Sequence, residues 1–234
     1  KITFQKIYGV GVVKANELFK KHKLTSIKEL RTALKENPDL LNDPQKLGLK
    51  YYEDLNERIP REEIDQFYEI VRDIICNENE LNEKETKFSI NGSYRRGYKT
   101  SGDIDLLISH PNSKKVSKIR QKLIKALFDK NILIETLASG KKKFMGIARI
   151  DKKARHVDII ETKPETFPFA QLYFTGSGDF NAYMRGIALK QGYTLNEYNL
   201  GVIDAKTGKK KPLTKKQIMK KINKPTFETE KDIF

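Results

Sequence analysis

A fifteen-residue stretch near the middle of the chain constrains the fold and the chemistry more than any other. It is a glycine-rich, basic loop that runs from Asn91 to Asp105 and lies between two short apolar segments. In a β-strand the side chains of residues i and i+2 lie on the same face, so Asp103 and Asp105 are predicted to point the same way. Two adjacent carboxylates repel each other unless a cation lies between them, and hard divalent ions prefer such oxygen ligands. The stretch therefore predicts a strand that begins with a metal-binding pair.

The loop in front of this pair has the composition of a phosphate site. Gly92 and Gly102 allow the backbone to approach a ligand closely, while Ser93 and Arg96 offer a hydroxyl and a guanidinium group suited to phosphate; Arg95 is a lesser candidate. Serine and glycine before a strand are often only a turn, and an isolated Asp-x-Asp pair is usually surface charge. Joined at this spacing, the two features favour a nucleoside triphosphate site.

Composition indicates the class of partner. The 234 residues include 46 Lys and Arg against 31 Asp and Glu, which leaves a net charge of +15. Such an excess favours nucleic acid over an acidic membrane surface, although solubilising lysine is the plain alternative. Cys76 is the one cysteine, which excludes an internal disulfide. No apolar run approaches ~18 residues and no signal peptide is visible, so we expect a soluble, intracellular protein without a membrane partner.

Hydrophobic periodicity predicts an α+β fold in three parts, with boundaries at 1–59, 60–163 and 164–234. Residues 1–59 are helical and basic, and Pro60 ends that part. The middle part alternates between helical and strand patterns. Its predicted helices cover 61–76 and 114–130, and its predicted strands cover 87–91, 103–109, 132–138, 143–150 and 155–161.

A third carboxylate, Asp158, lies in the last of these predicted strands. Alternation places His156, Asp158 and Ile160 on one face and Val157 and Ile159 on the other. A lone aspartate in a strand is most often a solvated edge residue, so this position gains meaning only together with the aspartate pair.

Two further segments suggest binding. Gly9-Val10-Gly11 precedes a helical pattern, so its backbone amides could meet a phosphate at a helix start; an ordinary tight turn is the alternative. Near the other end, a Tyr-Phe-Thr-Gly turn is predicted to lead into a helix that carries Asn181 and Arg185, one turn apart on one face. An aromatic core stripe is the alternative for that segment.

Taken together, Gly-Ser-x-Arg-Arg-Gly, Asp-x-Asp, residues 47–61 and Tyr-Phe-Thr-Gly resemble the family X DNA polymerases, near DNA polymerases beta and lambda. The resemblance covers essentially the whole chain. It implies a nucleotidyltransferase palm, with a mixed or antiparallel sheet and helices. A helix-hairpin-helix module that holds DNA like a thumb would precede the palm. A small α+β subdomain that closes on the nucleotide, and that is expected to be truncated at its carboxyl end, would follow it.

The activity implied by the resemblance is template-directed, gap-filling DNA synthesis in repair. A deoxynucleotide would pass from a dNTP to a primer 3′-hydroxyl with release of pyrophosphate, using two Mg²⁺ ions for which Mn²⁺ can substitute. Asp103, Asp105 and Asp158 would hold these ions. A monovalent cation is implied at the hairpin carbonyls. Tyr173-Phe174 stands where template-independent relatives have Gly-Trp, which favours template use.

The resemblance also assigns residues to the substrates. Nucleotide binding is implied for Gly92, Ser93, Arg96, Gly102, Arg58, Tyr173, Phe174, Gly176 and Asn181. DNA binding is implied for Gly9, Val10, Gly11, Lys143, His156 and Arg185. Departures from the family pattern are His156 in place of an arginine, and Ile160, Gly178 and Ala182.

The expected partners are primer–template or gapped DNA, dNTPs, and repair proteins such as a ligase. A monomer is expected, located in the nucleus or wherever its DNA lies, including a viral factory. Two alternatives stay open: a nucleotidyltransferase that acts on RNA or small molecules, and a catalytically silent protein that binds DNA ends.

Overall fold

The computed structural model describes residues 2–77, 80–204 and 207–234, and Lys1 of the first predicted domain lies outside these ranges. Along the chain, a group of helices is followed by a central sheet with its helices and then by a smaller group of helices and strands. This order agrees with the predicted α+β class. None of the helices in the described ranges combines the length and the apolar character needed to cross a bilayer.

Short helices build the amino-terminal module, which we define as residues 2–57. Polar caps fix where they begin: the Ser26 hydroxyl accepts a hydrogen bond from the backbone N–H of Glu29, and Asn42 and Gln45 form a reciprocal capping box. Their apolar faces enclose a small core around Phe4. The helices are α1 (Ile2–Gln5), α2 (Val12–Lys20), α3 (Ile27–Glu36), α4 (Asp43–Lys50) and α5 (Tyr52–Leu55).

The central region, residues 58–163, contains the main sheet. The helix and strand patterns of the sequence are confirmed here to within about two residues, as expected for strongly periodic segments. Its helices are α6 (Arg61–Cys76), α7 (Gly92–Arg95) and α8 (Val116–Asp129). Its strands are β1 (Ile59–Pro60), β2 (Lys87–Ile90), β3 (Thr100–Ser101), β4 (Ile104–Ser109), β5 (Leu133–Ser139), β6 (Lys143–Arg149) and β7 (Ala154–Glu161).

The main sheet has the strand order β2-β4-β7-β6-β5 and is mixed, because β4 and β7 run parallel while the other neighbours run antiparallel. One face packs against α6 and α8 in a continuous apolar core, to which β4 contributes Ile104 and Leu106 and β7 contributes Val157 and Ile159. The intervening residues of both strands therefore point to the opposite face. That face carries the candidate site.

The carboxy-terminal region, residues 164–234, is a smaller α+β unit. Phe169, Leu200 and Phe227 lie in its core. Its helices are α9 (Phe167–Thr175), α10 (Gly178–Lys190) and α11 (Lys215–Ile222), and its strands are β8 (Tyr193–Leu195), β9 (Leu200–Ile203) and β10 (Lys210–Pro212). The strands form an antiparallel sheet in the order β10-β9-β8.

Both flanking regions contact the open face of the main sheet. Ala170 of α9 packs on Leu107 and Ile160, while Tyr8 and Leu55 of the amino-terminal module belong to an apolar cluster with β5, β6 and β7. The middle of the open face, between these two contacts, is occupied by polar residues.

Candidate active site

Two carboxylates lie side by side on the open face because of the strand register. Asp105 of β4 is directly paired with Asp158 of the parallel strand β7. The predicted alternation of β7 is confirmed, since Val157 and Ile159 are in the core behind it. Asp103 lies in the bend immediately before β4 and is exposed, so the strand that was predicted to begin at Asp103 begins one residue later.

The three carboxylates influence each other electrostatically. Burial, followed by the negative charges of Asp103 and Asp158, raises the pKa of Asp105 to about 7. Asp158 is 6% exposed. Its Oδ2 atom forms an ion pair with Lys143 Nζ at 2.5 Å, whereas its buried Oδ1 atom has no hydrogen-bond partner among the described residues. The site therefore contains more negative charge than its neighbours compensate.

His156 lies on the same face, two residues before Asp158. Its Nε2 atom is 3.4 Å from Asp158 Oδ1, but neither atom makes a hydrogen bond within the described chain. Burial lowers the pKa of His156, so the imidazole is neutral near pH 7 and the short distance is not an ion pair. The ring of Tyr8 packs against His156 with 5.0 Å between centroids.

The donor set suits a hard divalent cation, although it is not closed into a ligand cage. In the part of the chain that the structure describes, no three Asp, Glu, His or Cys side chains already form a metal-ligand group. Asp103 is exposed in its bend, and Lys143 takes one oxygen of Asp158. The unpartnered Asp158 Oδ1 atom and the raised pKa of Asp105 show that added positive charge would be favourable here. Asp103, Asp105 and Asp158 are thus the residues that could hold a metal.

The predicted phosphate loop lies beside the carboxylates. Gly92 has a φ of +62° at the start of α7, and a Cβ added there would lie 3.3 Å from Asp105 Oδ2, so glycine is favoured both by conformation and by space. The Ser93 hydroxyl donates to the Ser101 hydroxyl at 2.9 Å. Arg58 donates from Nε to the Thr100 hydroxyl at 3.0 Å. These contacts place Arg58, Gly92 and Ser93 around one loop.

The two arginines of the loop point toward the carboxy-terminal region. Arg96 donates to the Thr175 carbonyl, and its guanidinium lies 5.2 Å from the ring centre of Tyr98. Arg95 makes a bidentate ion pair with Glu230, at 2.8 and 2.5 Å. Arg95 is therefore engaged in linking two regions of the chain, whereas Arg96 makes one exposed hydrogen bond, to the Thr175 carbonyl.

The structure corrects one local prediction in this neighbourhood. Tyr173 and Phe174 lie in the last turn of helix α9 and not in a turn, and the chain turns only at Gly176, where φ is +64°. Asn181 Nδ2 donates to the Tyr173 carbonyl at 2.8 Å, and the Arg185 guanidinium lies 5.2 Å from the Tyr173 ring centre. These side chains thus form one cluster at the junction of α9 and α10.

A cavity of about 490 Å³ joins the hairpin of the amino-terminal module to the carboxylates. It is bordered by Gly9, Val10 and Gly11 on one side and by Asp103 and His156 on the other. Its size and its two walls suit a strand of nucleic acid that passes between the hairpin and the sheet. The Gly9 carbonyl already accepts from the Gln45 side-chain amide at 2.8 Å, so one of the carbonyls predicted to face a monovalent cation has a protein partner.

Comparison with known proteins accounts for nearly all of the chain. Residues 2–56 match the fingers domain of DNA polymerase lambda, residues 58–164 match the DNA polymerase beta palm, and residues 170–234 match the DNA polymerase beta thumb. The chain belongs to the family X DNA polymerases. DNA polymerase lambda of Rattus norvegicus is 30% identical over 239 residues, an alignment that covers 99% of this chain and 39% of the relative.

A second family X relative gives the same picture. DNA polymerase lambda of Arabidopsis thaliana is 29% identical over 213 residues, covering 84% of this chain and 38% of the relative. The chain thus spans about two fifths of the length of these relatives. The family resemblance inferred from the motifs is confirmed, and the matched palm contains the three aspartates.

Several residues of this family X site were not recognised in the sequence. Arg61 donates to the Tyr94 carbonyl at 2.8 Å and stacks on the Tyr94 ring at 4.0 Å, which ties the phosphate loop to α6. Gly48 has no space for a Cβ, which would lie 2.7 Å from the Tyr8 carbonyl oxygen. Lys143 was assigned to DNA binding, and its ion pair with Asp158 was not foreseen. Only contacts between residues that are distant in sequence reveal these roles, because each residue is ordinary in its local pattern.

Proposed function

We propose that this protein is a template-directed DNA polymerase of the gap-filling repair type. In this proposal it transfers a deoxynucleotide from a dNTP to a primer 3′-hydroxyl and releases pyrophosphate. The observation that carries the proposal is the position of Asp105 and Asp158 on paired strands beside the glycine-rich loop, inside the segment that matches a polymerase palm. DNA polymerases of this family use divalent metal ions, and positive charge added beside these adjacent carboxylates would be favourable.

Asp103, Asp105 and Asp158 would hold two Mg²⁺ ions, for which Mn²⁺ can substitute. When bound, such ions stabilise the charge that develops on the attacking and leaving oxygens of an in-line displacement. The fit is supported by the unpartnered, buried Oδ1 atom of Asp158 and by the pKa of about 7 for Asp105. Lys143 would exchange its contact with Asp158 for a DNA phosphate, because a lysine on a flexible stem can turn from one anion to another.

The loop residues would bind and orient the triphosphate. Ser93, Arg96, Gly102 and Arg58 lie on or beside the loop and would contact the β- and γ-phosphates. Arg96 is the best placed of these to move, since its exposed guanidinium has a single carbonyl acceptor, Thr175, in the described chain. Positioning by such charged hydrogen bonds provides much of the catalysis in phosphoryl transfer.

The cluster at the junction of α9 and α10 would recognise the sugar and the base. Tyr173, Phe174 and Gly176 would lie against the deoxyribose and exclude a 2′-hydroxyl, and Asn181 would contact the base. Arg185 would reach the template strand. The bond from Asn181 to the Tyr173 carbonyl supports this arrangement, because it holds the Asn181 side chain against the backbone of Tyr173.

The DNA would lie in the cavity between the hairpin and the sheet. Gly9, Val10 and Gly11 would hold the primer backbone through their amides, and His156 would lie near the primer terminus. As a neutral ring with a free Nε2 atom, His156 offers a hydrogen bond rather than the charge that an arginine would provide.

Extension of a labelled primer across a one-nucleotide gap tests the proposal. With Mg²⁺ we expect addition of only the complementary deoxynucleotide. Asp158→Ala should abolish extension and keep DNA binding, whereas Asp151→Ala, which removes an exposed carboxylate from the β6–β7 turn, should leave both unchanged.

Other outcomes would point to other functions. Equal use of ribonucleotides, or addition without a template, would indicate a different nucleotidyltransferase. Tight DNA binding without any extension would indicate a silent binder of DNA ends. Loss of both binding and folding in Asp158→Ala would show a structural role for that carboxylate.

A further inference from the structure

The carboxy-terminal region contains the densest positive charge in the chain. Residues 205–227 include nine lysines and no aspartate or glutamate, in a chain whose net charge is +15. Residues 205 and 206 lie outside the described ranges. The described lysines of this segment lie in or next to β10 and α11.

Few of these charges are neutralised by the protein itself. Lys211 pairs with Asp204 at 2.9 Å, and Lys224 pairs with Asp232 at 2.9 Å. Lys221 lies over the Tyr193 ring at 4.4 Å. The remaining lysines are exposed and have no carboxylate partner within the described chain; they are Lys209, Lys210, Lys215, Lys216 and Lys220. Charges of one sign in one segment repel each other, so this surface is suited to a polyanion.

A groove connects this charge to the proposed template contact. The groove has a volume of about 330 Å³, runs along β8 beside α10, and is lined by Arg185, Leu189, Thr194, Asn196, Glu197 and Lys210, among others. Arg185 and Leu189 are one helical turn apart on α10, and α10 and β8 run in opposite directions. Arg185 therefore lies at the inner end, near Asn196, and Lys210 lies at the outer end.

The packing of the strands beside the groove depends on a glycine. A Cβ at Gly201 would lie 2.6 Å from the Lys211 carbonyl oxygen and 2.9 Å from the Thr194 hydroxyl, so β9 can approach its neighbours only without a side chain here. Lys210 shares the face of Gly201 and Thr194, because alternate residues of β10 point to the same side. Glu197 is the one carboxylate among the lining residues, and it follows Asn196 in the chain.

We propose that this groove binds the phosphate backbone of the template strand beyond the templating base, with Lys210 as the phosphate contact at its outer end and the exposed Lys209, its neighbour in the chain, where the strand leaves the groove. This inference rests on the proposed polymerase function and extends the path of the template past Arg185. A strand that leaves the site at Arg185 meets a polar groove that leads outward to unneutralised lysines. Its phosphates would release counterions on binding, which favours association at moderate salt.

The test compares DNA binding by three proteins, measured by fluorescence anisotropy without nucleotide. The proteins are the wild type, Lys209→Gln/Lys210→Gln, and the control Lys118→Gln/Lys122→Gln. The control removes the same charge from the exposed side of α8, which packs on the sheet face opposite the carboxylates. Neither control lysine has a carboxylate partner in the described chain, so the two variants match in charge.

Three labelled DNAs separate the sources of binding. In the first, the template ends at the templating base; in the second, it continues for about ten unpaired nucleotides; in the third, that extension is paired with a downstream strand. We expect Lys209→Gln/Lys210→Gln to weaken binding to the extended DNAs by roughly 10-fold at 0.1 M salt and to lower the slope of log K against log salt by about 2. Comparison of the second and third DNAs shows whether the groove binds the template extension as a single strand or as part of a duplex.

The inference would be overturned if the variant lost as much affinity for the DNA with the short template, if the control variant lost as much affinity, or if no affinity was lost at all. No loss of DNA binding would leave these lysines to an acidic protein partner. Failure of the proposed function is recognised separately, because it would appear as no extension by the wild-type protein on any primed template, whatever the binding comparison shows.

Discussion

Replacement of Asp105 by asparagine is expected to stabilise the protein at neutral to alkaline pH while it abolishes activity. Burial, followed by the charges of Asp103 and Asp158, raises the pKa of Asp105 from 3.8 to about 7. The folded state therefore holds a proton more tightly than the unfolded chain does. Between these two pKa values the folded protein binds more protons than the unfolded one, so its stability falls as the pH rises through this window. Asparagine carries no charge and avoids that loss.

The magnitude follows from the size of the shift. A difference of about 3 pKa units, at 1.36 kcal/mol per unit, corresponds to roughly 4 kcal/mol. The free energy of unfolding of Asp105→Asn should therefore be close to that of the wild type near pH 4. The variant should gain relative to the wild type up to about pH 7, and the difference should be constant above that.

Urea unfolding of both proteins in EDTA, at several pH values from about 4 to 8, measures this difference. The matched control is Asp151→Asn, which removes an exposed carboxylate and should show no such pH dependence. At pH 8, Mg²⁺ should stabilise the wild type more than Asp105→Asn, because only the wild type offers the Asp105 carboxylate. A difference between variant and wild type that does not change with pH would refute the reasoning.

Other predictions concern packing around the site. Arg155→Ala should lower the free energy of unfolding, measured in urea, by about 3–5 kcal/mol. The reason is that the buried Glu63 carboxylate, which accepts from Arg155 at 2.9 and 2.7 Å, would lose its partner. Recovery of stability in Arg155→Met/Glu63→Leu would confirm that cause. Gly48→Ala should lower the free energy of unfolding by about 1–3 kcal/mol and weaken DNA binding, because the added Cβ would clash with Tyr8 beside the hairpin. An unchanged thermal unfolding temperature would contradict this prediction. Gly92→Ala should lower the free energy of unfolding by about 1–2 kcal/mol because of the positive φ at this position, and it should raise the KM for dNTP. An unchanged KM would argue against phosphate binding by the loop.

The sequence was most informative where a residue's role follows from its own strand or helix. The helix from Arg61 to Cys76 and the alternation around Asp158 follow from periodicity alone. The pairing of Asp105 with Asp158 does not, because β4 and β7 are far apart in sequence and their register is set by core packing. For the same reason, no local pattern indicates that Lys143 reaches Asp158 or that Arg95 reaches Glu230.

Tertiary packing explains the correction at the end of helix α9. Tyr173 and Phe174 were predicted in a turn because glycine and threonine follow them. In the structure, Phe169 and Leu172 of the same segment are buried in the carboxy-terminal core, and this apolar packing extends helix α9 through Thr175. Tertiary packing therefore decides where the helix ends, and Gly176 only permits the turn that follows.

The same two strands that carry the carboxylates also carry the contact with the carboxy-terminal region. On the open face, Asp105 is followed two residues later by Leu107, and Asp158 by Ile160. Leu107 and Ile160 pack against Ala170 of α9, whose last turn holds the cluster proposed to recognise the nucleotide. Because packed interiors deform little, a displacement of α9 would be felt directly by the strands that hold the carboxylates. The arrangement thus couples any movement of α9 to the geometry of the proposed metal site through this apolar contact.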